Sequence, residues 1–287
     1  LAVSDPDVDV LFDFLEEMEF RTLTNRVRAA LGEGETDGLR KDDSKAAFTP
    51  PTDKALPENV TFDKDKYECV QSVERLEHWI ARCFEVGTIA VDLETDSLDS
   101  AAANMVGVCL AVADNEACYI PLAHIGGGDM FGDDKPQQIE MDTALALLKP
   151  LLEDLSILKV GQNFKYDLGV FQRYDIYAAP YDDTMLISYA LAGGLHGHGM
   201  DYLSETYFGH KPIAFKEIAG TGKKQKTFDQ ISLEEATPYA AEDADVTLRL
   251  WKFLKPKLVA EQVTTVYETL ERPLPAVIAK MENQGIK

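Results

Sequence analysis

A mixed α/β fold is what the sequence predicts, in one domain over about residues 67–258. Three observations carry that expectation. Three short β-branched runs follow one another across brief turns, the pattern of an antiparallel meander. A fourth apolar run, Ser156–Val160, stands between helical stretches. Beyond it, apolar positions recur at three- and four-residue spacing, the period of an amphipathic helix.

The elements follow in order. Val8 to Leu31 carries Leu11, Phe12, Leu15, Met18 and Phe20 at mixed helical spacing, which reads as a helix with one apolar side. From Gly32 to about Lys66 the periodicity vanishes among glycines, prolines and mixed charges, and the span is expected to be a linker. Ser72 to Phe84 is a helix, with Val73, Leu76, Trp79, Ile80 and Cys83 on one side. The meander strands are 87–93, 105–112 and 117–122, and a glycine- and aspartate-rich loop follows over 126–136. Asp142 is a candidate N-cap for a helix through Leu152. After the fourth strand come helices over 166–174, 184–192, 200–208 and 234–258.

Composition narrows the function classes. All 287 residues are 45% hydrophobic and 27% charged, which excludes wholesale disorder. No apolar run approaches the ~18–20 residues of a membrane span, and no basic-then-apolar leader opens the chain. A cytoplasmic location without membrane contact is expected. Four cysteines form no CxxC pair, so reduced thiols are expected. The 28 basic and 50 acidic residues give a net charge of −22. That argues against wrapping nucleic acid with a basic surface, and leaves room for carboxylates gathered around divalent cations.

Three acidic segments stand out. Asp92-Leu93-Glu94 ends the most hydrophobic strand, and residues i and i+2 share a face, so both carboxylates project together. Solvated acids at a turn would give the same short pattern. Gly161 to Asp167 follows the fourth strand, with Asn163 as a candidate cap and Asp167 in the first turns of the next helix. A plain helix start explains that segment equally well. Tyr239 and Asp243 lie four residues apart on the long helix, beside Ala240 and Ala244. Upstream, Ser232 and Glu235 form a possible capping box, and Thr237-Pro238 a possible helix restart. Taken together, Asp92, Glu94, Asp167 and Asp243 offer four hard oxygen ligands suited to Mg²⁺ or Mn²⁺. Two such ions about 3.5–4 Å apart can activate water and stabilise the leaving oxygen of a phosphodiester.

The stretches Val91–Asp99, Gly161–Asp167 and Tyr239–Leu248 resemble, in order and spacing, the three exonuclease motifs of the bacterial DNA polymerase I family (family A). That is the DEDDy branch of the DnaQ-like exonucleases. The resemblance implies a ribonuclease H-like mixed sheet, an antiparallel three-strand meander plus parallel strands, flanked by helices. It implies a metal-dependent 3'-5' exodeoxyribonuclease that proofreads DNA, with two divalent metal ions (Mg²⁺ or Mn²⁺). Asp92, Glu94, Asp167 and Asp243 would be metal ligands, and Tyr239 would orient the attacking water. Leu98 falls where the family places an apolar wedge against the terminal base, and Phe215 where an aromatic meets the strand. Gln162, Asn163 and Tyr166 match residues lining the single-strand cleft. The implied partner is a single-stranded 3' end of DNA, in a monomeric, nucleoid-associated bacterial protein.

The resemblance also divides the chain. Residues 1–31 would be the tail of an upstream 5' nuclease domain and 32–66 a flexible linker. Residues 67–258 would be the exonuclease domain, and 259–287 the start of a polymerase domain cut off at its first helix. One departure is Gly197, where some relatives carry a phosphate-reaching arginine; His196 and the loop 223–226 are the candidate substitutes. The loop 220–224 superficially matches a phosphate loop but lacks the strand before it, and reads as a flexible basic loop. His196, His198 and His210 lack metal-site spacing and read as surface histidines. Glu242 and Asp245 face other sides of the helix from Asp243 and stay outside the site. A ribonuclease D-like exoribonuclease and a catalytically inactive module of the same fold are the alternative readings.

Overall fold

The computed structural model describes residues 7–18, 20, 23–24, 27–28, 60–126, 135–222 and 225–285. By chain contacts it divides into a unit over 1–49 and a unit over 50–287. In the first, a helix α1 spans Val8–Glu17, and most of the predicted remainder to Leu31 lies outside the described residues. The second unit carries the rest of the fold.

Among the described residues its sheet has six strands, β1 (Glu68–Cys69), β2 (Thr88–Thr95), β3 (Met105–Ala113), β4 (Glu116–Pro121), β5 (Leu158–Gly161) and β6 (Tyr181–Asp183). Their order is β1-β4-β3-β2-β5-β6. Strands β2, β3 and β4 form the predicted antiparallel meander, and β5 joins β2 in parallel through Thr88↔Leu158 to Ala90↔Val160. β1 and β6, two and three residues long, add in parallel at the two edges and were not expected from the sequence.

Alternation along β2 sorts its two faces. Ile89, Val91 and Leu93 enter one core with α2 (Val73–Val86), α3 (Met141–Glu153) and α4 (Lys165–Arg173). Ala90 faces the other, where the long helix α8 (Leu233–Leu254) packs through Ala236, Ala240, Ala241 and Ala244. Four alanines at the contact let the helix lie close to the sheet, which brings its functional side chains within reach of β2. The helices α5 (Thr184–Ala192), α6 (Met200–Phe208) and α7 (Phe215–Ala219) join β6 to α8.

Local signals explain most boundaries. The Ser72 side chain accepts from the Arg75 N–H at the start of α2, and Gly87 ends it at φ 71°, a conformation that favours glycine. Ser232 caps α8, with its hydroxyl also on Glu235 Oε2 at 3.0 Å. Four expectations need correction. Helix α3 begins at Met141 with Glu140 at the cap position, and Asp142 sits in its first turn. Helix α8 runs through Pro238, its sixth residue, without restarting, held on both sides of the lost hydrogen bond by Ala236, Ala240 and Ala241 packed on the sheet. It stops at Leu254, and Lys257–Ala260 forms a separate short helix. Asn163 caps nothing: it adopts φ 57°, and the Asp183 carboxylate accepts the N–H groups of Asn163 and Phe164 at 3.1 and 2.8 Å.

The expected linker over 32–66 falls outside the described residues up to 59. Its described end is held in place. The Phe62 ring stacks on His210 at 3.8 Å, with the Arg249 guanidinium 4.1 Å from its centroid. Lys64 reaches Glu242 at 3.0 Å. Among the described residues no helix is long and apolar enough to cross a membrane.

Candidate active site

The site lies where β2 ends, on its α8-facing side. Asp92 and Glu94 alternate with Val91 and Leu93, so their carboxylates leave the face opposite the larger core. Across the ladder Asp92 pairs with Cys109 and Glu94 with Gly107. A Cβ at Gly107 would meet the Tyr119 ring, so a bare backbone is needed opposite Glu94. A register shift between Glu94 and Thr95 bends the strand end, a device common beside active sites.

Asp167 arrives from the first turn of α4. The β2–β5 ladder stops at Ala90↔Val160, and further along β2 the Asp167 carboxylate accepts the N–H of Leu93 at 3.1 Å. Tyr239 and Asp243 come down from α8, one turn apart. Glu94, Asp167 and Asp243 are all buried. An oxygen of Asp92, an oxygen of Glu94 and Cys109 Sγ lie within 4.8 Å of one another.

The electrostatics follow from crowding. Burial, then Asp92, Asp243 and Asp167, push the Glu94 carboxyl well above its ordinary range. Burial and Asp92 do the same to Asp167. Asp243 is raised by burial, Asp92, Glu242 and Asp201, against a hydrogen bond from Tyr239. Asp92 is pushed up to about 7, chiefly by burial. Burial and neighbouring acids, Glu242, Asp201 and Asp183 beside the four themselves, set the protonation of these carboxyls. Such a donor set fits divalent cations, which offset the repulsion and prefer carboxylate oxygen. Cys109 is a poor ligand for them, because burial and the nearby acids hold its thiol protonated. Tyr239 is likewise held protonated, by burial and then by Asp243, Glu94 and Asp92.

The remaining expected residues are placed as follows. Phe215 lies 6.1 Å from the Tyr239 ring. Tyr166 OH lies 2.5 Å from Thr95 Oγ1 and also donates to the Ser97 carbonyl. That fixes the turn that presents Leu98, which is 97% exposed. Gln162 is engaged at both ends, donating to the His198 carbonyl at 2.8 Å and accepting from Thr184 Oγ1 at 2.5 Å. Glu242 and Asp245 are buried, and each faces partners of its own. Glu242 accepts from the Ile213 N–H and pairs with His210, and Asp245 pairs with Arg249 and Tyr67. Residues 223 and 224 of the basic loop lie outside the described residues.

Sequence reasoning missed three contributors. Cys109 was readable only from the β2–β3 register. Asp183 caps α5 and also ties down Asn163 and Phe164. Asp201 lies close enough to act on both Asp243 and Tyr239. Neither aspartate sits within a motif.

Buried carboxylates from a strand end, a helix start and a helix face, on a mixed sheet in this order, define a ribonuclease H-like nuclease fold. The chain belongs to the 3'-5' exonuclease family, whose model matches residues 67–259, in the form carried by DNA polymerase I. It is 42% identical to DNA polymerase I of Rhizobium leguminosarum over 96% of this chain and 33% of that protein. It is 45% identical to DNA polymerase I of Pseudomonas aeruginosa over 99% of this chain and 29% of that protein. The chain thus spans about a third of the length of the curated relatives it matches. Among solved structures, the M. smegmatis Pol1 domain in complex with DNA superposes with a TM-score of 0.59 at 16% identity, over 76% of this chain and 32% of that one. Brucella melitensis NrnC with bound Mg²⁺ gives 0.54 at 18% identity, over 76% and 92%. Escherichia coli RNase D gives 0.52 at 18% identity, over 77% and 51%. At these identities the likeness is one of fold.

Proposed function

We propose that this chain removes nucleotides from the 3' end of single-stranded or frayed DNA, as the proofreading part of a DNA polymerase I. The observation that carries the proposal is the gathering of Asp92 and Glu94 at one strand end, oxygens within 4.8 Å, with buried Asp167 bonded to the Leu93 N–H between them and buried Asp243 near enough to act on Glu94. In this reading residues 67–258 are the exonuclease domain. The preceding residues are a linker and the tail of a 5' nuclease domain, and 259–287 begin the polymerase domain.

The four carboxylates would hold two divalent ions, Mg²⁺ or Mn²⁺. When bound, such ions activate water and offset charge on the leaving oxygen. The other steps belong to the chain. Tyr239, protonated and on the same helix face as Asp243, orients the attacking water through its hydroxyl. Phe215, beside Tyr239, stacks on the terminal base, and exposed Leu98 wedges against it. Asp167, bound to the Leu93 N–H, keeps its helix in register with the strand carboxylates.

The test is a 5'-labelled single strand incubated with Mg²⁺ or with chelator, beside an RNA of the same sequence. Mg²⁺-dependent shortening of the DNA from its 3' end is expected. Degradation confined to RNA would favour the ribonuclease D-like alternative.

A further inference from the structure

The helix that carries Asp167 is held from two opposite sides. Each helical residue advances by about 100°, so Lys165 and Gly169, two before and two after Asp167, lie on the side of α4 turned away from it. On the near side the Asp167 carboxylate accepts the Leu93 N–H of β2 at 3.1 Å. The far side packs on a helix over Leu274–Asn283. There Lys165 Nζ donates to both carboxylate oxygens of Glu282 at 2.8 Å. Asn283 Nδ2 donates to the Gly169 carbonyl and to Gln172 Oε1, each at 3.1 Å. Ala279, one turn earlier, is buried in the core that holds Phe164 and Leu168.

The same stretch of chain reaches the turn before α4. Tyr267, fully buried, donates its hydroxyl to Asp182 at 2.9 Å and accepts the Asp183 N–H at 3.0 Å. The Asp183 carboxylate in turn accepts from Asn163 and Phe164. Tyr181 OH donates to the Arg272 carbonyl at 2.8 Å and accepts the Ala276 N–H at 3.2 Å, which pins the start of the Leu274–Asn283 helix to β6. All of these partners lie beyond residue 259, where the family match ends. Their contacts nonetheless converge on the start and the outer side of the helix that bears Asp167.

We propose that the helix Leu274–Asn283 is a positioning element of the exonuclease site, in which Glu282 and Asn283 hold α4 so that the Asp167 carboxylate stays at the end of β2. This rests on the exonuclease reading above. An ion pair about a third exposed at each end adds little to stability, because water screens it. Its lever on geometry is larger, since a misplacement of about 1 Å can cost on the order of 10²-fold in rate. With residues 259–287 opening the polymerase domain, the site takes part of its geometry from its neighbour.

The experiment uses the full chain as wild type, Glu282→Lys, Glu282→Gln and the Lys165→Glu/Glu282→Lys swap. Mn²⁺ is titrated calorimetrically without DNA, single-turnover shortening of a 5'-labelled strand is timed, and melting temperature is read in chelator. Glu282→Lys is expected to lose about 10–100-fold in Mn²⁺ affinity and in rate, with little change in melting temperature. Glu282→Gln should fall between it and the wild type. The swap restores the ion pair with its ends exchanged and should recover most of both losses. Wild-type Mn²⁺ affinity and rate in Glu282→Lys, or losses that the swap leaves unrecovered, overturn the positioning role alone. A wild-type chain that neither binds Mn²⁺ nor shortens any 3' end overturns the exonuclease reading, and the positioning role with it.

Discussion

The carboxylate of Asp167 accepts the backbone N–H of Leu93 at 3.1 Å, and Leu93 is the residue between Asp92 and Glu94. One hydrogen bond thus sets the start of α4 against the end of β2, beyond the point where β5 stops pairing. The arrangement depends in turn on Asp183, whose buried carboxylate accepts from Asn163, Phe164, Met185 and Leu186.

Asp183→Ala is therefore expected to destabilise the fold by about 2–4 kcal/mol, since it removes a cap and strands buried donors. It should also cost activity through Asp167, although residue 183 bears no ligand role. Urea unfolding and a rate assay on the same preparation check both effects. A stable variant with wild-type turnover would contradict the account of Asp183.

Stability without metal should fall as pH rises. The Asp92 carboxyl, near 3.9 in an unfolded chain, is pushed up to about 7 in the fold, chiefly by burial. A raised folded-state value means the native state binds more protons than the unfolded one between those limits. The contribution is complete below about pH 4 and lost as pH climbs through about 7. Melting temperature in chelator should decline across that window, and saturating Mg²⁺ should flatten the decline. The Asp92→Ala/Glu94→Ala variant should hold or gain stability at neutral pH in chelator, because repulsion is relieved.

Tyr239→Phe should lower turnover by on the order of 10²-fold and leave metal affinity nearly unchanged. The phenol is held protonated beside Asp243, a state suited to positioning water. Single-turnover rates with a calorimetric metal titration separate the two effects. Unchanged turnover would reduce Tyr239 to a packing residue against Phe215.

Much of this was legible in the sequence, for local reasons. Two carboxylates at i and i+2 on a strand must share a face, and Tyr239 and Asp243 at i and i+4 on a helix must do so too. The meander was readable because β2 and β3 are eight and nine residues long and β3 reaches β4 through a two-residue turn. What was hidden is set by tertiary contact. β1 and β6 are too short to show a period, and they exist because the sheet edges accept them. Asn163 has a capping side chain, yet the carboxylate that closes this turn comes from Asp183, twenty residues on. Phe62 sits in a stretch of linker composition, and its order comes from His210 and Arg249.

Binding should depend only weakly on salt. With a net charge of −22 the chain should neutralise two or three phosphates, at about −0.7 each, for a log–log slope of roughly −1.5 to −2 on single strands. Frayed ends should be preferred over blunt duplex, whose bases must first unpair. A salt series with Asp243→Asn checks this, and a slope steeper than about −5 would indicate a basic surface absent from the account.

The most direct test follows a 5'-labelled single-stranded DNA over time with Mg²⁺, using the wild-type chain and the Asp92→Ala/Glu94→Ala variant side by side. The account predicts stepwise shortening from the 3' end by the wild type, none in chelator, and none by the folded variant. Mg²⁺-dependent shortening by the variant at the wild-type rate would contradict it.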